Sequence, residues 1–83
     1  MKVKVLFFGA TAASVGEREV EISIDDNLTA EGAFAQIFNR FPVLQENHDI
    51  KSLHLSINQE YSQGNEIINS GDELAIFTAV SGG

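Results

Sequence analysis

The side chains that usually carry chemistry are scarce in this sequence. There is no cysteine among its 83 residues, which excludes thiolate nucleophiles, disulfides and sulfur-ligated metals together. The two histidines, His48 and His54, fall in a polar stretch and at an outward strand position. Neither has a cysteine or a carboxylate pair at metal spacing, and a zinc site usually needs four ligands, so both read as surface residues and no metal is expected. Asp25-Asp26-Asn27 imitates the start of a calcium loop, but Ala30 stands where that loop needs glycine and no glutamate closes it. Gly9 and Gly16 lack a G-K-[ST] continuation, and no helix is expected directly after them, so they make no phosphate loop. No serine has a plausible base and orienter. The sequence offers no self-contained active site.

The remaining candidate is the end of the chain, Gly82-Gly83. A frayed terminus is its plain reading. A paired glycine end also has a specific use: without side chains it threads a narrow channel, and its carboxylate is open to approach from any side. A carboxylate is a poor electrophile until it becomes an acyl-adenylate. Transfer of sulfide to that adenylate gives a thiocarboxylate, which stores sulfur on a protein that has no thiol. The missing cysteine and the small size of the domain give this weak motif its weight.

Something must hold that tail. At this length the chain is one domain, hiding roughly 60–65% of the surface its unfolded form exposes, with room for one core and no deep cleft. Apolar residues make up 43% of it and there is a single proline, a globular composition. The formal net charge of −7 repels phosphate backbones and anionic membranes, so neither nucleic acid nor membrane is an expected partner. A basic protein surface would be attracted. Lys2 and Lys4 before Val5 to Phe8, with Ala10-Thr11-Ala12 following, imitate a signal peptide, but the apolar run is too short and Lys4 interrupts it. The protein is therefore expected in the cytoplasm, and the Asn27-Leu28-Thr29 sequon carries no meaning there.

The periodicity sets out the elements. Met1 to Phe8 reads as a strand with Val3, Val5 and Phe7 on one face. Gly9 to Gly16 reads as a loop. Glu19 to Asp25 alternates with Val20, Ile22 and Ile24 inward, and pairs with the first strand as a hairpin. Thr29 is a helix cap, and Ala30, Ala33, Phe34, Ile37, Phe38 and Phe41 make one helical stripe that Pro42 ends near Arg40. Val43 to Lys51 reads as a polar connection. Leu53, Leu55 and Ile57 mark a third strand, Asn58-Gln59-Glu60 a turn, Tyr61 a short fourth strand, and Glu73 to Thr78 the last, with Leu74 and Ile76 inward. The expected fold class is α+β: a mixed sheet of four to five strands with one main helix on one face. Residues 1–79 form the domain, and 80–83 a flexible tail.

The outward positions give a second signal. Leu6, Phe8, Ala75 and Phe77 should lie on the face away from the helix, and neighbouring first and last strands would join them into one apolar patch with Tyr61 at its edge. A contiguous patch marks a docking surface more often than an accident.

Taken together, these residues resemble the small-subunit family of molybdopterin synthase, ubiquitin-like β-grasp sulfur carriers. The resemblance rests on Lys4-Val5-Leu6-Phe7-Phe8-Gly9, Ser56-Ile57-Asn58-Gln59-Glu60, and Ser70-Gly71-Asp72-Glu73-Leu74-Ala75-Ile76-Phe77 leading to Val80-Ser81-Gly82-Gly83. It implies a β-grasp fold with the first and last strands adjacent and parallel. It implies adenylation of Gly83 by a ubiquitin-activating-like adenylyltransferase that uses ATP and Mg²⁺, with no cofactor bound by this chain itself. It implies a Gly83 thiocarboxylate that enters the large synthase subunit, in a heterotetramer, and supplies sulfur for the dithiolene of molybdopterin. Phe77 matches a family interface position, Tyr61 occupies another that is usually held by an apolar residue, and Val80-Ser81 lead Gly82-Gly83 into the partner. Thr78-Ala79 replace two prolines common in the family, so this tail is expected to be looser before docking.

Other readings stay open at this point: a carrier for thiamine or a tungsten cofactor, a ubiquitin-like modifier forming isopeptide bonds through Gly83, and an interaction module with an inert tail.

Overall fold

The computed structural model describes residues 1–78. Nine elements follow in order: β1 (Lys2–Phe7), α1 (Ala10–Val15), β2 (Glu19–Ser23), α2 (Ala30–Arg40), α3 (Val43–Asn47), a 3₁₀ turn (Ile50–Ser52), β3 (Leu53–Ile57), β4 (Glu60–Tyr61) and β5 (Glu73–Thr78). The five strands form one mixed sheet in the order β2-β1-β5-β3-β4. β1 and β5 run parallel, with Leu6 beside Ala75 and Phe7 beside Ile76. β2 is antiparallel to β1, and β3 antiparallel to both β5 and β4.

Strand alternation puts Val3, Val5 and Phe7 on the same face as Ile22, Leu53, Leu55, Leu74 and Ile76, all of them buried. α2 closes that face with Ala30, Ala33, Ile37 and Phe38. Its helical stripe supplies the contact, and burying a side chain the size of Ile37 or Phe38 stabilises the fold by about 1.5–3 kcal/mol. The Thr29 hydroxyl accepts from the Gly32 N–H at 3.3 Å, and the helix stops at Arg40, just short of Phe41 and Pro42. Phe41 packs edge-on against Phe7 at 5.3 Å.

Two segments expected to be irregular are helical. The Gly9 to Gly16 stretch holds α1, directly after Gly9, so the expectation that no helix follows was wrong. Gly16 at φ 83° is its left-handed stop, bonding back to the Ala12 carbonyl. Small residues hid the period here: Thr11 is the one fully buried side chain of α1, with Ala12 and Val15 partly buried against the core. Likewise Val43–Asn47 is α3 rather than a polar connection, started by Pro42 and anchored by Leu44, which is fully buried. Among the described residues, no helix is long and apolar enough to cross a membrane.

Candidate functional site

The sheet has a second face, which α2 leaves uncovered. Alternation and register place Leu6 of β1, Ala75 and Phe77 of β5, His54 and Ser56 of β3, and Tyr61 of β4 there. The charged residues Glu19, Glu21, Lys2, Lys4 and Glu73 occupy the β2 side and lower end of the same face.

An aromatic cluster forms at the upper end. Phe77 stacks against His54 with centroids 5.7 Å apart and against Tyr61 at 5.4 Å, the planes tilted by 25° and 29°. Tyr61 is 79% exposed and Phe77 half-buried. Ala75 is buried, which corrects its place in the expected patch. It forms a floor between Leu6 and Ser56 rather than contact surface. Phe8 lies one residue beyond β1 and is 52% exposed; with Leu6, Ala12, Ala13 and Arg18 it lines a cleft of about 710 Å³ beside α1.

Local geometry holds Tyr61 out. β4 pairs with β3 through a tight turn in which Asn58 and Gln59 both have positive φ, 50° and 74°. Asn58 is pinned to β5: its side chain accepts from the Glu73 N–H at 3.0 Å and donates to Asp72 at 3.1 Å. After Tyr61 the chain folds around the Glu66 carboxylate. That carboxylate accepts from the Gln63 N–H (2.7 Å), the Ser62 hydroxyl (2.7 Å) and the Gly64 N–H (3.0 Å). These donors, the Gln63 N–H foremost and then the Ser62 hydroxyl, pull its pKa from 4.5 to about 2. The same loop ties to the start of α2, where the Ala30 and Glu31 N–H groups donate to the Glu66 and Gly64 carbonyls.

β5 carries the chain to Thr78 alongside the end of β1, held by the buried Thr11 hydroxyl, 2.7 Å from the Phe8 carbonyl and 2.9 Å from that of Ile76. Val80, Ser81, Gly82 and Gly83 lie outside the described residues, as does the expected boundary between domain and tail.

Other chemistry is thin. Among the described residues no group of three His, Cys, Asp or Glu is placed to hold a metal. His48 is half-buried rather than a free surface residue, with Nε2 2.7 Å from the Ser14 hydroxyl. Among the described residues no side chain orients its other ring nitrogen, so the pair staples α1 to the end of α3 rather than making a nucleophile and base. His54 is the residue sequence reasoning passed over. Its outward parity was legible, but its neighbour Phe77, 23 positions on, became visible only with the β3–β5 register.

The sequence matches the ThiS family over residues 5–83. The chain belongs to the ThiS family. Among curated relatives it is 34% identical to the molybdopterin synthase sulfur carrier subunit of Chlamydomonas reinhardtii, covering 100% of both chains. It is 30% identical to the human protein of the same name, over 99% of this chain and 94% of that one. Among solved structures, SAMP1 of Haloferax volcanii superposes on this ThiS-family chain with a TM-score of 0.82 and 26% identity, covering 100% of each. A complex of subunits 1 and 2 of the molybdopterin-converting factor from Helicobacter pylori contains a chain with a TM-score of 0.68 and 24% identity, again covering 100% of each. The fold is the β-grasp that the resemblance implied, with first and last strands adjacent and parallel.

Proposed function

We propose that this ThiS-family chain is the sulfur-carrier subunit of molybdopterin synthase, with Gly83 as the carrying residue. The observation that supports it most is the length of the match: the family similarity runs through Gly83, and relatives named as that subunit align with essentially the whole chain. In this reading a ubiquitin-activating-like adenylyltransferase uses ATP and Mg²⁺. The Gly83 carboxylate attacks the α-phosphorus and pyrophosphate leaves, giving an acyl-adenylate. Sulfide then displaces AMP, leaving a thiocarboxylate. The chain supplies no acid, base or metal to these steps; it supplies a tail without side chains at its tip and a face for docking.

The large synthase subunit docks on the uncovered sheet face, with Phe77, Tyr61 and Leu6 as contact residues and Phe8 beside the end of β1. Val80-Ser81 lead Gly82-Gly83 into its active site, where sulfur passes to a cyclic pyranopterin to build the dithiolene, in the cytoplasm. Docking that face against a separate subunit accounts for its exposed aromatics, which cost solubility in a protein that works alone. The test is reconstitution: chain charged with sulfur, large subunit and pyranopterin precursor, with dithiolene product as the readout. Product formation that is lost on deleting Gly83 supports the assignment; product formed without Gly83 overturns it.

A second reading is favoured by one observation, the likeness to SAMP1, a small archaeal modifier protein. The same acyl-adenylate, captured by a lysine amine, would give an isopeptide. Conjugates on lysines in a lysate distinguish this use from the carrier role.

A further inference from the structure

His54 occupies a place that makes the docking face sensitive to protons. It lies on the outer face of β3, directly opposite Phe77 in the β3–β5 register, with the two rings stacked at 5.7 Å. Tyr61 stacks on the same Phe77 at 5.4 Å, so the imidazole is one of three rings in a single aromatic surface. Histidine is the side chain whose ordinary charge change falls between about pH 5 and 8.

The rings stacked on His54 carry no compensating charge, and the acidic residue that lines a cleft with it is Glu31 at the start of α2. β5 presents Phe77 and β4 presents Tyr61, whose phenol is uncharged in this range. On its own strand the flanking outward residue is Ser56, and Ser52 precedes it. Asp49 and Lys51 lie in the turn before β3, where the Asp49 carboxylate already accepts from the Lys51 N–H at 3.0 Å. On the remainder of the face, Lys4 and Glu73 are register partners four residues down β5 from Phe77, about 13 Å away at the rise of a strand. Among the described residues the ion pairs are Met1–Asp26 and Lys2–Glu21, and neither includes His54. The other histidine, His48, is engaged with Ser14.

The geometry points to proton-linked docking: the aromatic end of the face receives a basic, apolar partner surface only when His54 is neutral. This rests on the docking reading proposed above and adds the chemistry of the partner. Charge complementarity selects that chemistry. Twelve acidic residues against five lysines and arginines give the carrier its net charge of −7, with Glu73, Glu19 and Glu21 on the same outer face. The complementary surface carries lysine and arginine. An imidazolium at the centre of the contact would face like charge and lose its water without gaining a counter-ion. Its attraction for the Phe77 ring is a minor term beside that desolvation.

The test is the affinity for purified large molybdopterin synthase subunit at about pH 7.5 and about pH 5.5, for the wild-type chain, His54→Gln and His54→Phe. His54 is exposed, so both variants keep the fold, checked by their denaturation midpoints. The expected result for wild type is several-fold weaker binding at the lower pH. His54→Phe should bind at least as tightly as wild type at the higher pH and lose several-fold less at the lower one. His54→Gln should share that weaker response, since it too lacks the imidazole. Parallel losses in wild type and both variants would overturn the proton linkage while leaving the docking reading intact. Tighter wild-type binding at low pH would overturn it by showing a carboxylate opposite His54. Absence of binding in all three chains at both pH values would overturn the docking reading, and this inference with it.

Discussion

The hydroxyl of Thr11 lies 2.9 Å from the carbonyl oxygen of Ile76, joining residues 65 positions apart. It is fully buried, also lies 2.7 Å from the Phe8 carbonyl, and accepts from the Phe8 N–H at 3.1 Å. One side chain thus ties α1 to the ends of both β1 and β5, two residues before the described chain stops. Thr11→Val keeps the shape and removes these bonds. The expected cost is about 1–2 kcal/mol in chemical denaturation, with most of it recovered in Thr11→Ser.

The turn that presents Tyr61 contains a misfit. Asn58 tolerates its left-handed conformation through its bonds to Glu73 and Asp72, whereas Gln59 at φ 74° has no such support among the described residues. Gln59→Gly should stabilise the protein by about 0.5–1 kcal/mol at unchanged denaturant slope. A destabilised variant would mean that the Gln59 side chain makes a contact worth more than the strain.

Glu66 gives the loop after β4 a dependence on acid. Its pKa falls from 4.5 to about 2 in the folded protein because the Gln63 N–H, the Ser62 hydroxyl and the Gly64 N–H favour the carboxylate. A depressed pKa contributes stability that is fully present above about 4.5 and is lost as pH falls through about 2. Glu66→Gln should therefore flatten the stability profile across that window and leave it little changed in slope above it. Equal acid sensitivity in variant and wild type would remove Glu66 as its source.

Phe77 is the centre of the aromatic cluster on the uncovered sheet face, touching both His54 and Tyr61. Phe77→Asp should weaken binding to the large subunit by more than about 2 kcal/mol, because docking would then bury an unpaired carboxylate. The isolated domain should lose only about 1 kcal/mol, the scale of strand propensity at a half-buried position. Calorimetric titration together with denaturation separates the two effects.

How far the sequence exposed all this depends on side-chain size. The α2 stripe and the β5 alternation were legible because their apolar residues are large: Ile37 and Phe38 in one, Leu74 and Ile76 in the other. α1 was not, since Ala10-Thr11-Ala12-Ala13 carries almost no hydrophobic period and its anchor is a hydroxyl. α3 was masked in the same way by polar residues around a single buried Leu44. At the site, the outward parity of Leu6, Phe77 and Tyr61 followed from alternation. Ala75 as a floor and His54 as a ring partner did not, because both depend on which strand lies alongside and in what register. The tip, Gly82-Gly83, was read from chemistry alone.

The central claim is that sulfur travels on Gly83, and intact mass tests it most directly. The chain is incubated with ATP, Mg²⁺, the activating enzyme and a sulfur source, and the product is weighed and fragmented. The account predicts a gain equal to one oxygen replaced by sulfur, confined to Gly83 and absent without ATP. No gain, under conditions that charge an established carrier, would contradict it.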